Sequence, residues 1–260
     1  MLIESAQNPR IKNLLKLQEK SRERKKQGLF VVEGIQENQL ALDAGFEAVE
    51  FYVLDSVFEN SIALPLSPIY VSREIFHKIA YRESTGGIIG IYKIRENQLA
   101  EIKPKKNALI VVLESVEKPG NLGAILRTCD GAGVDLLVIC DPLVDFYNPN
   151  VIRSSVGTLF TNQFVSDTSE NVVKWLKENE VQIAATFLRD STQNLYDVNL
   201  NVSTAIVLGT ENSGLTDFWA DEADVLVKIP MLGKVDSLNV SNAAAICVYE
   251  AIRQKNYSKI

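Results

Sequence analysis

Histidine is almost missing from this 260-residue sequence, with His77 the only one. That excludes a Ser-His-Asp relay near the glycine-rich loops further along, and a histidine-built metal site with it. No GxSxG occurs either. His77 sits in EIFHKIA among apolar neighbours, where a helix-surface or half-buried histidine is expected rather than a catalyst. Cysteine is scarce too. Cys129, Cys140 and Cys247 are odd in number, far apart and set in apolar runs, so they read as buried thiols and not as a disulfide framework or metal site. No charge-free apolar stretch approaches the roughly 20 residues of a membrane span, and the opening MLIESAQNPRIK lacks the apolar core of a signal peptide. The expected setting is the cytoplasm, with neither membrane nor metal as a partner.

What is present is an ordinary globular composition, 46% hydrophobic and 23% charged, enough for one large domain or two modest ones. The formal net charge of −6 at first argues against nucleic acid. Its distribution argues otherwise. Arg10, Lys12, Lys16, Lys20, Arg22, Arg24, Lys25 and Lys26 face only Glu4, Glu19 and Glu23 within the first 27 residues, on an otherwise acidic chain. Such a segment either grips phosphates locally or is a solvated amphipathic helix.

From Asn8 to about Lys26, Ile11, Leu14, Leu15 and Leu17 recur at helical spacing and predict one helix with a wet, positive face. Strand-like LFVVEG, a helix over Gln36 to Ala44, FYVL, PLSPIYVS, a helix from Arg73 to Ala80 and β-rich GIIGIYKI complete a compact α/β unit. The polar stretch RENQLAEIKPKKN reads as a linker. The division expected is therefore a first domain over 1–97, a linker over 98–107 and a second domain over 108–260. In the latter, ALIVVLES, VDLLVIC, VQIAATF, TAIVLG and DVLVKIP have the continuous apolar character of strands buried on both faces. Helical patterns separate most of them, so a mainly parallel sheet flanked by helices is expected, with ligands bound beyond the carboxyl ends of its strands.

Three loops of this second domain carry candidate chemistry. In EKPGNLGAILRTCDGAG, Pro119 and Gly120 make a turn, Asn121 can cap the following helix, and Arg127 falls on its first turns, where it either forks onto a phosphate or pairs with a surface carboxylate. In VLGTENSGL, Gly209, Ser213 and Gly214 let backbone groups face a ligand and Glu211 places a carboxylate at the strand end; a plain glycine-rich turn is the alternative. In IPMLGKVDSLNVSNAAAICVYEA, a strand ends at Pro230 and SLNVS opens a helix, with Ser237 and Asn239 placed to cap it or to point into a site at its positive end. None of the three fits the GxGxxG or GxxxxGK[ST] patterns, so a dinucleotide fingerprint and a P-loop are rejected.

In this order, NLGAILRT (Asn121 to Thr128), LGTENSGL (Leu208 to Leu215) and IPMLGKVDSLNVSNAAAI (Ile229 to Ile246) resemble the three motifs of the SpoU/TrmH family of RNA 2′-O-methyltransferases, within the SPOUT superfamily. NPNVIRSSVGTLF, with Arg153, Ser155 and Gly157, is similar to a further family stretch, and NPRIKNLLKL and FVVEG resemble the family's substrate-binding domain. The resemblance implies a trefoil knot in the C-terminal domain, a smaller α/β RNA-binding domain like ribosomal protein L30e before it, and a homodimer. It implies S-adenosylmethionine as cofactor, held by Leu208, Gly209, Ile229, Met231 and Leu238. Asn121, Arg127, Glu211, Ser237 and Asn239 carry over as catalytic or substrate-positioning residues, and Arg10, Lys12, Arg153 and Ser155 as RNA contacts. One departure is the acidic Asp236 beside Val235, directly before Ser237.

The chemistry suits these residue types, since a sulfonium methyl is already electrophilic and asks for alignment, proton removal and exclusion of water. A guanidinium with a pKa above about 12 is a poor base, so phosphate clamping and orientation of the 2′-hydroxyl is the role expected of Arg127. The substrate expected is ribosomal RNA, with tRNA as the alternative. A fold-retaining RNA-binding assembly factor without turnover and a dinucleotide-dependent oxidoreductase are the readings of other classes.

Overall fold

A computed structural model of the chain describes residues 2–58, 61–81, 86–189, 191–210 and 213–256. They divide into two compact units, Met1–Arg95 together with Asp145–Thr161, and Glu96–Val144 together with Asn162–Ile260.

The first unit opens with strand β1 (Leu2–Ile3), helices α1 (Pro9–Glu19) and α2 (Ser21–Gln27), and strand β2 (Leu29–Glu33). Helix α3 (Ile35–Asp43), strand β3 (Ala48–Val53), helix α4 (Asp55–Phe58), strand β4 (Ile69–Val71), helix α5 (Arg73–Ile79) and strand β5 (Ile88–Lys93) follow. The strands form a five-stranded sheet in the order β1-β4-β3-β5-β2, in which β5 runs antiparallel to β2 and β3 while the other pairs are parallel. Asn8 accepts a hydrogen bond from the Arg10 N–H and Pro9 occupies the first turn, which starts α1 where the pattern predicted. Ile11, Leu14 and Leu17 are buried against Val31, Ile89, Ile91 and the apolar side of α5.

The single opening helix predicted from the periodicity is two helices, broken at Lys20, whose backbone is extended at φ −118° and ψ 108°. Arg24 explains the break. It is 2% exposed; its Nη1 donates to the carbonyls of Leu17 (2.7 Å) and Gln18 (3.1 Å), which the end of α1 leaves without helical partners. Its Nη2 pairs with Asp145 at 2.7 Å. Arg24 therefore does not belong to the wet face, which keeps Lys12, Lys16, Lys20, Arg22, Lys25 and Lys26 exposed.

Asp145 belongs to a segment that the sequence pattern assigns to the second domain and that packs with the first unit. It contains helix α7 (Pro149–Ser154), which follows α6 (Pro119–Ala132) in the chain. Tyr147 and Phe160 close a box of rings around Phe30 and Phe46, with Phe30 to Tyr147 at 4.4 Å and Phe46 to Phe160 at 5.2 Å between centroids. The Tyr147 hydroxyl donates to the Arg95 carbonyl at 2.6 Å. Helix α7 ends with Gly157 N–H bonded to the Ile152 carbonyl, and the residue turning the chain there, Val156, adopts the left-handed φ of 54°.

In the second unit, strands β6 (Leu109–Glu114), β7 (Leu136–Cys140), β8 (Phe164–Asp167), β9 (Gln182–Thr186), β10 (Gln193–Asn194), β11 (Thr204–Leu208) and β12 (Val225–Lys228) form one sheet in the order β10-β12-β9-β11-β6-β7-β8. Every pair in it is parallel. Helices α6, α8 (Ser169–Glu178), α9 (Asp217–Glu222) and α10 (Val240–Asn256) cover it. On one face Val172, Trp175 and Leu176 of α8 and Trp219 of α9 pack on Ile110, Val112, Val138, Ile183 and Val207; on the other, α10 lies along α6, β6 and β11. The strands go one way from β6 to β8, then restart at β9 on the far side of β6. Sheets of this type bind ligands at such a reversal. Among the described residues, no helix is long and apolar enough to cross a membrane.

Candidate active site

The carboxyl ends of β9, β11 and β12 open onto a cavity of about 410 Å³, bounded in addition by the start of α10 and open to solvent. That volume lies in the range of small-molecule sites. Leu208, Leu215, Val227, Leu238 and Val240 give it apolar walls, while Thr210, Ser213, Lys228, Asp236 and Ser237 supply polar groups. The Thr186 hydroxyl donates to the Val207 carbonyl at 3.0 Å and so joins the ends of β9 and β11 at its edge.

Gly209 follows directly from the end of β11. A Cβ there would lie 2.1 Å from the carbonyl carbon of Gly214 and 2.3 Å from the nitrogen of Leu215. The chain folds back across Gly209, and Thr210 and Gly214 close the loop by exchanging two backbone hydrogen bonds of 3.1 Å. Only glycine leaves room for that crossing. Leu208, Gly209, Ile229, Met231 and Leu238, the residues expected at the cofactor, all line this one cavity.

Helix α6 begins at Pro119, so Asn121 lies inside its first turn and is not the cap the sequence suggested. Its side chain turns across to the start of α10 instead, where Asn239 Nδ2 donates to Asn121 Oδ1 at 3.2 Å. Asn239 itself caps α10, its Oδ1 accepting from the Ser241 N–H (2.9 Å) and hydroxyl (2.6 Å). The first and third motif loops are thereby joined by one side-chain hydrogen bond. Ser237 lines the cavity, with its hydroxyl 3.3 Å from Asp236 Oδ1. Arg127 is exposed on α6. Glu211 lies outside the described residues.

The four residues expected at RNA all belong to the first unit. Arg10 and Lys12 are exposed on α1, with Arg10 Nε 3.6 Å from Glu50. Arg153 on α7 is half-buried and stacks its guanidinium 3.5 Å over the exposed Tyr81 ring. Ser155 corrects the expectation: it is fully buried and its hydroxyl donates to the Ile152 carbonyl at 2.9 Å, so its side chain serves the end of α7 and is withheld from solvent. Thr186, Phe187 and Leu188 were missed as cavity residues. They end the strand neighbouring both β11 and β12, and the carboxyl-end rule applied to that strand finds them. The three cysteines are buried and free, and burial pushes the Cys129 and Cys247 thiols up to about 12, so neither is a thiolate near neutrality.

Compared with known proteins, residues 108–249 match the model of the SpoU rRNA methylase family and residues 8–90 that of the MRM3-like substrate-binding domain. The chain is 29% identical to the 23S rRNA (guanosine(2553)-2′-O)-methyltransferase RlmP of Bacillus subtilis, over 95% of this chain and 97% of that protein. A crystal structure of an RNA 2′-O ribose methyltransferase superposes with a TM-score of 0.86 at 36% identity, covering 98% of this chain and 99% of the other. The AdoMet-bound rRNA methyltransferase of Sinorhizobium meliloti superposes with a TM-score of 0.88 at 27% identity, over 97% of each chain.

Proposed function

Because the chain belongs to the SpoU rRNA methylase family, we propose that it is an S-adenosylmethionine-dependent methyltransferase that methylates a ribose 2′-hydroxyl of structured RNA, with 23S ribosomal RNA as substrate. The observation that carries this reading is the cavity at the ends of β9, β11 and β12, whose walls come from the second and third motif loops and to which the Asn121–Asn239 bond ties the first. Its apolar walls suit an adenosyl group, and a rim bearing both a carboxylate, Asp236, and an ammonium, Lys228, suits an amino-acid tail with both charges.

S-adenosylmethionine supplies an electrophilic methyl group; the chain's own residues bind, orient and exclude water. Leu208, Gly209, Ile229, Met231 and Leu238 hold the cofactor. Ser237, Asn239 and Asn121 orient the ribose, Glu211 positions the substrate, and Arg127 clamps the adjoining phosphate with its two-pronged guanidinium. Arg10, Lys12 and the other exposed lysines of α1 and α2 bind phosphates of the RNA, and Arg153 with Tyr81 offers a flat surface to an unstacked base. Surface pairs such as Arg10–Glu50 cost little to exchange for a phosphate. The same reading gives a homodimer acting in the cytoplasm, where ribosomal RNA is met. It also gives a trefoil knot in the second unit, supported by the path of the chain from β12 near the sheet edge back to α10 beside β6 and β11.

The test is transfer of a labelled methyl group from S-adenosylmethionine to 23S rRNA and to tRNA, followed by mapping of alkali-resistant linkages. The expected result is label at one ribose of 23S rRNA. Label in tRNA alone would make tRNA the substrate, and RNA binding without transfer would make the protein an assembly factor. Light scattering at twice the chain mass checks the dimer.

A further inference from the structure

Glu114 belongs to none of the motif loops and does not line the cavity. It is the last residue of β6 and 5% exposed. A carboxylate taken that far from water is costly unless its oxygens are bonded, and one residue bonds both. The Thr216 N–H donates to Glu114 Oε2 at 2.8 Å and the Thr216 hydroxyl to Oε1 at 2.7 Å. Two acceptors on one rigid fork meet two donors on one residue.

The position of Thr216 gives this pairing its meaning. It closes the loop that starts at Gly209, whose residues Gly209, Thr210, Ser213, Gly214 and Leu215 form one wall of the cavity, and it directly precedes α9. At the other partner, Ser115 follows Glu114 with a left-handed φ of 51° and its N–H bonds the Cys140 carbonyl at 3.0 Å, which fixes the turn leading into α6. That turn delivers Asn121 and Arg127. A single side chain therefore joins the foot of the cofactor wall to the foot of the helix bearing the candidate catalytic residues.

We propose that Glu114 is a positioning residue whose fork on Thr216 sets the wall formed by Gly209, Thr210, Ser213, Gly214 and Leu215 against the entry to α6, so that cofactor affinity depends on a side chain that touches no cofactor. This rests on reading the cavity as the S-adenosylmethionine site. Glutamine at 114 keeps a carbonyl for the Thr216 N–H, and the hydroxyl can turn to accept from its amide; leucine leaves both Thr216 donors without partners.

The test compares Glu114→Leu, Glu114→Gln and Thr216→Val by calorimetric S-adenosylmethionine binding, kcat at saturating cofactor, thermal unfolding without cofactor, and hydrogen exchange of the 209–216 amides. Glu114→Leu should weaken binding about tenfold or more, keep kcat within about threefold once the cofactor saturates, and speed exchange in the 209–216 loop. Glu114→Gln should restore affinity to within about threefold of the parent, with Thr216→Val in between. Unchanged affinity in Glu114→Leu with a lowered melting temperature would make Glu114 only a core residue and overturn the proposal, as would loss of kcat at unchanged affinity. If Glu114→Leu does not fold, Thr216→Val decides alone, and full parental affinity in it overturns the proposal. A parent protein that binds no S-adenosylmethionine refutes the reading of the cavity; a parent that binds, matched by all three variants, refutes only the role of Glu114.

Discussion

Arg127 and Gly209 show two ways in which a single residue serves the same site. Arg127 stands in solvent on α6, so truncation to alanine leaves the cavity walls as they are. The expected outcome for Arg127→Ala is a fall in methyl transfer of about a hundredfold or more, as for a group acting on the reacting substrate, with S-adenosylmethionine affinity within twofold of the parent by calorimetry. Gly209→Ala should do the reverse of this division. Its methyl group would collide with backbone of Gly214 and Leu215, which cannot rotate aside, so the loop must move. We expect a stability loss of about 1–3 kcal/mol, typical of overpacking, read by denaturant unfolding, together with loss of cofactor binding. Residues at this scale were legible wherever a motif contained them, which is why Leu208, Gly209, Ser213, Gly214, Ile229, Met231, Ser237 and Leu238 of the cavity could be named from their loops. Thr186 to Leu188 were legible through the carboxyl-end rule alone, whereas Glu114 was not, because a glutamate at a strand end looks like any other until Thr216 is in place.

Elements were read most surely where the apolar run was long. The stretches at β6, β7, β9 and β11 stood out because strands covered on both faces need apolar residues at every position. The two-residue strands β1 and β10 carry no pattern of their own and exist only as additions beside β4 and β12. The break between α1 and α2 was hidden for another reason: residues 18–27 are polar throughout and carry no glycine or proline to mark a stop, and the cause, Arg24, reaches a partner far away in the sequence. Helix α7 shows a cost that periodicity cannot report. Its C-terminal turn places Val156 in the left-handed region, where a β-branched side chain is strained. Val156→Gly should relieve that strain at some expense in unfolded-state entropy, for a net stabilisation of up to about 1 kcal/mol and a rise in melting temperature of roughly 2–4 °C. A drop in melting temperature would mean that Val156 packing outweighs its backbone strain.

For the whole molecule, the chain leaves the first unit after Arg95, returns for Asp145 to Thr161, and leaves again. The first unit is therefore made of two stretches of sequence. Cutting at the expected boundary near residue 97 removes Tyr147 and Phe160 from the ring box and Asp145 from Arg24, leaving a buried guanidinium without its carboxylate. Breaking a buried pair in this way costs about 3–5 kcal/mol, a large part of the margin of a small domain. A 1–97 fragment should show no cooperative thermal transition and rapid proteolysis, while the full chain unfolds cooperatively; a fragment that melts sharply would show the second stretch to be dispensable. The same arrangement has a consequence in time. At synthesis rates of roughly 5–20 residues per second, the ring of Phe46 emerges after that of Phe30 and both wait about 5–20 seconds for the roughly 100 or more further residues that bring Tyr147 and Phe160 as their cover. During that interval the nascent chain presents an apolar face that a trigger-factor-like holdase, or another nascent chain on the same message, can occupy first.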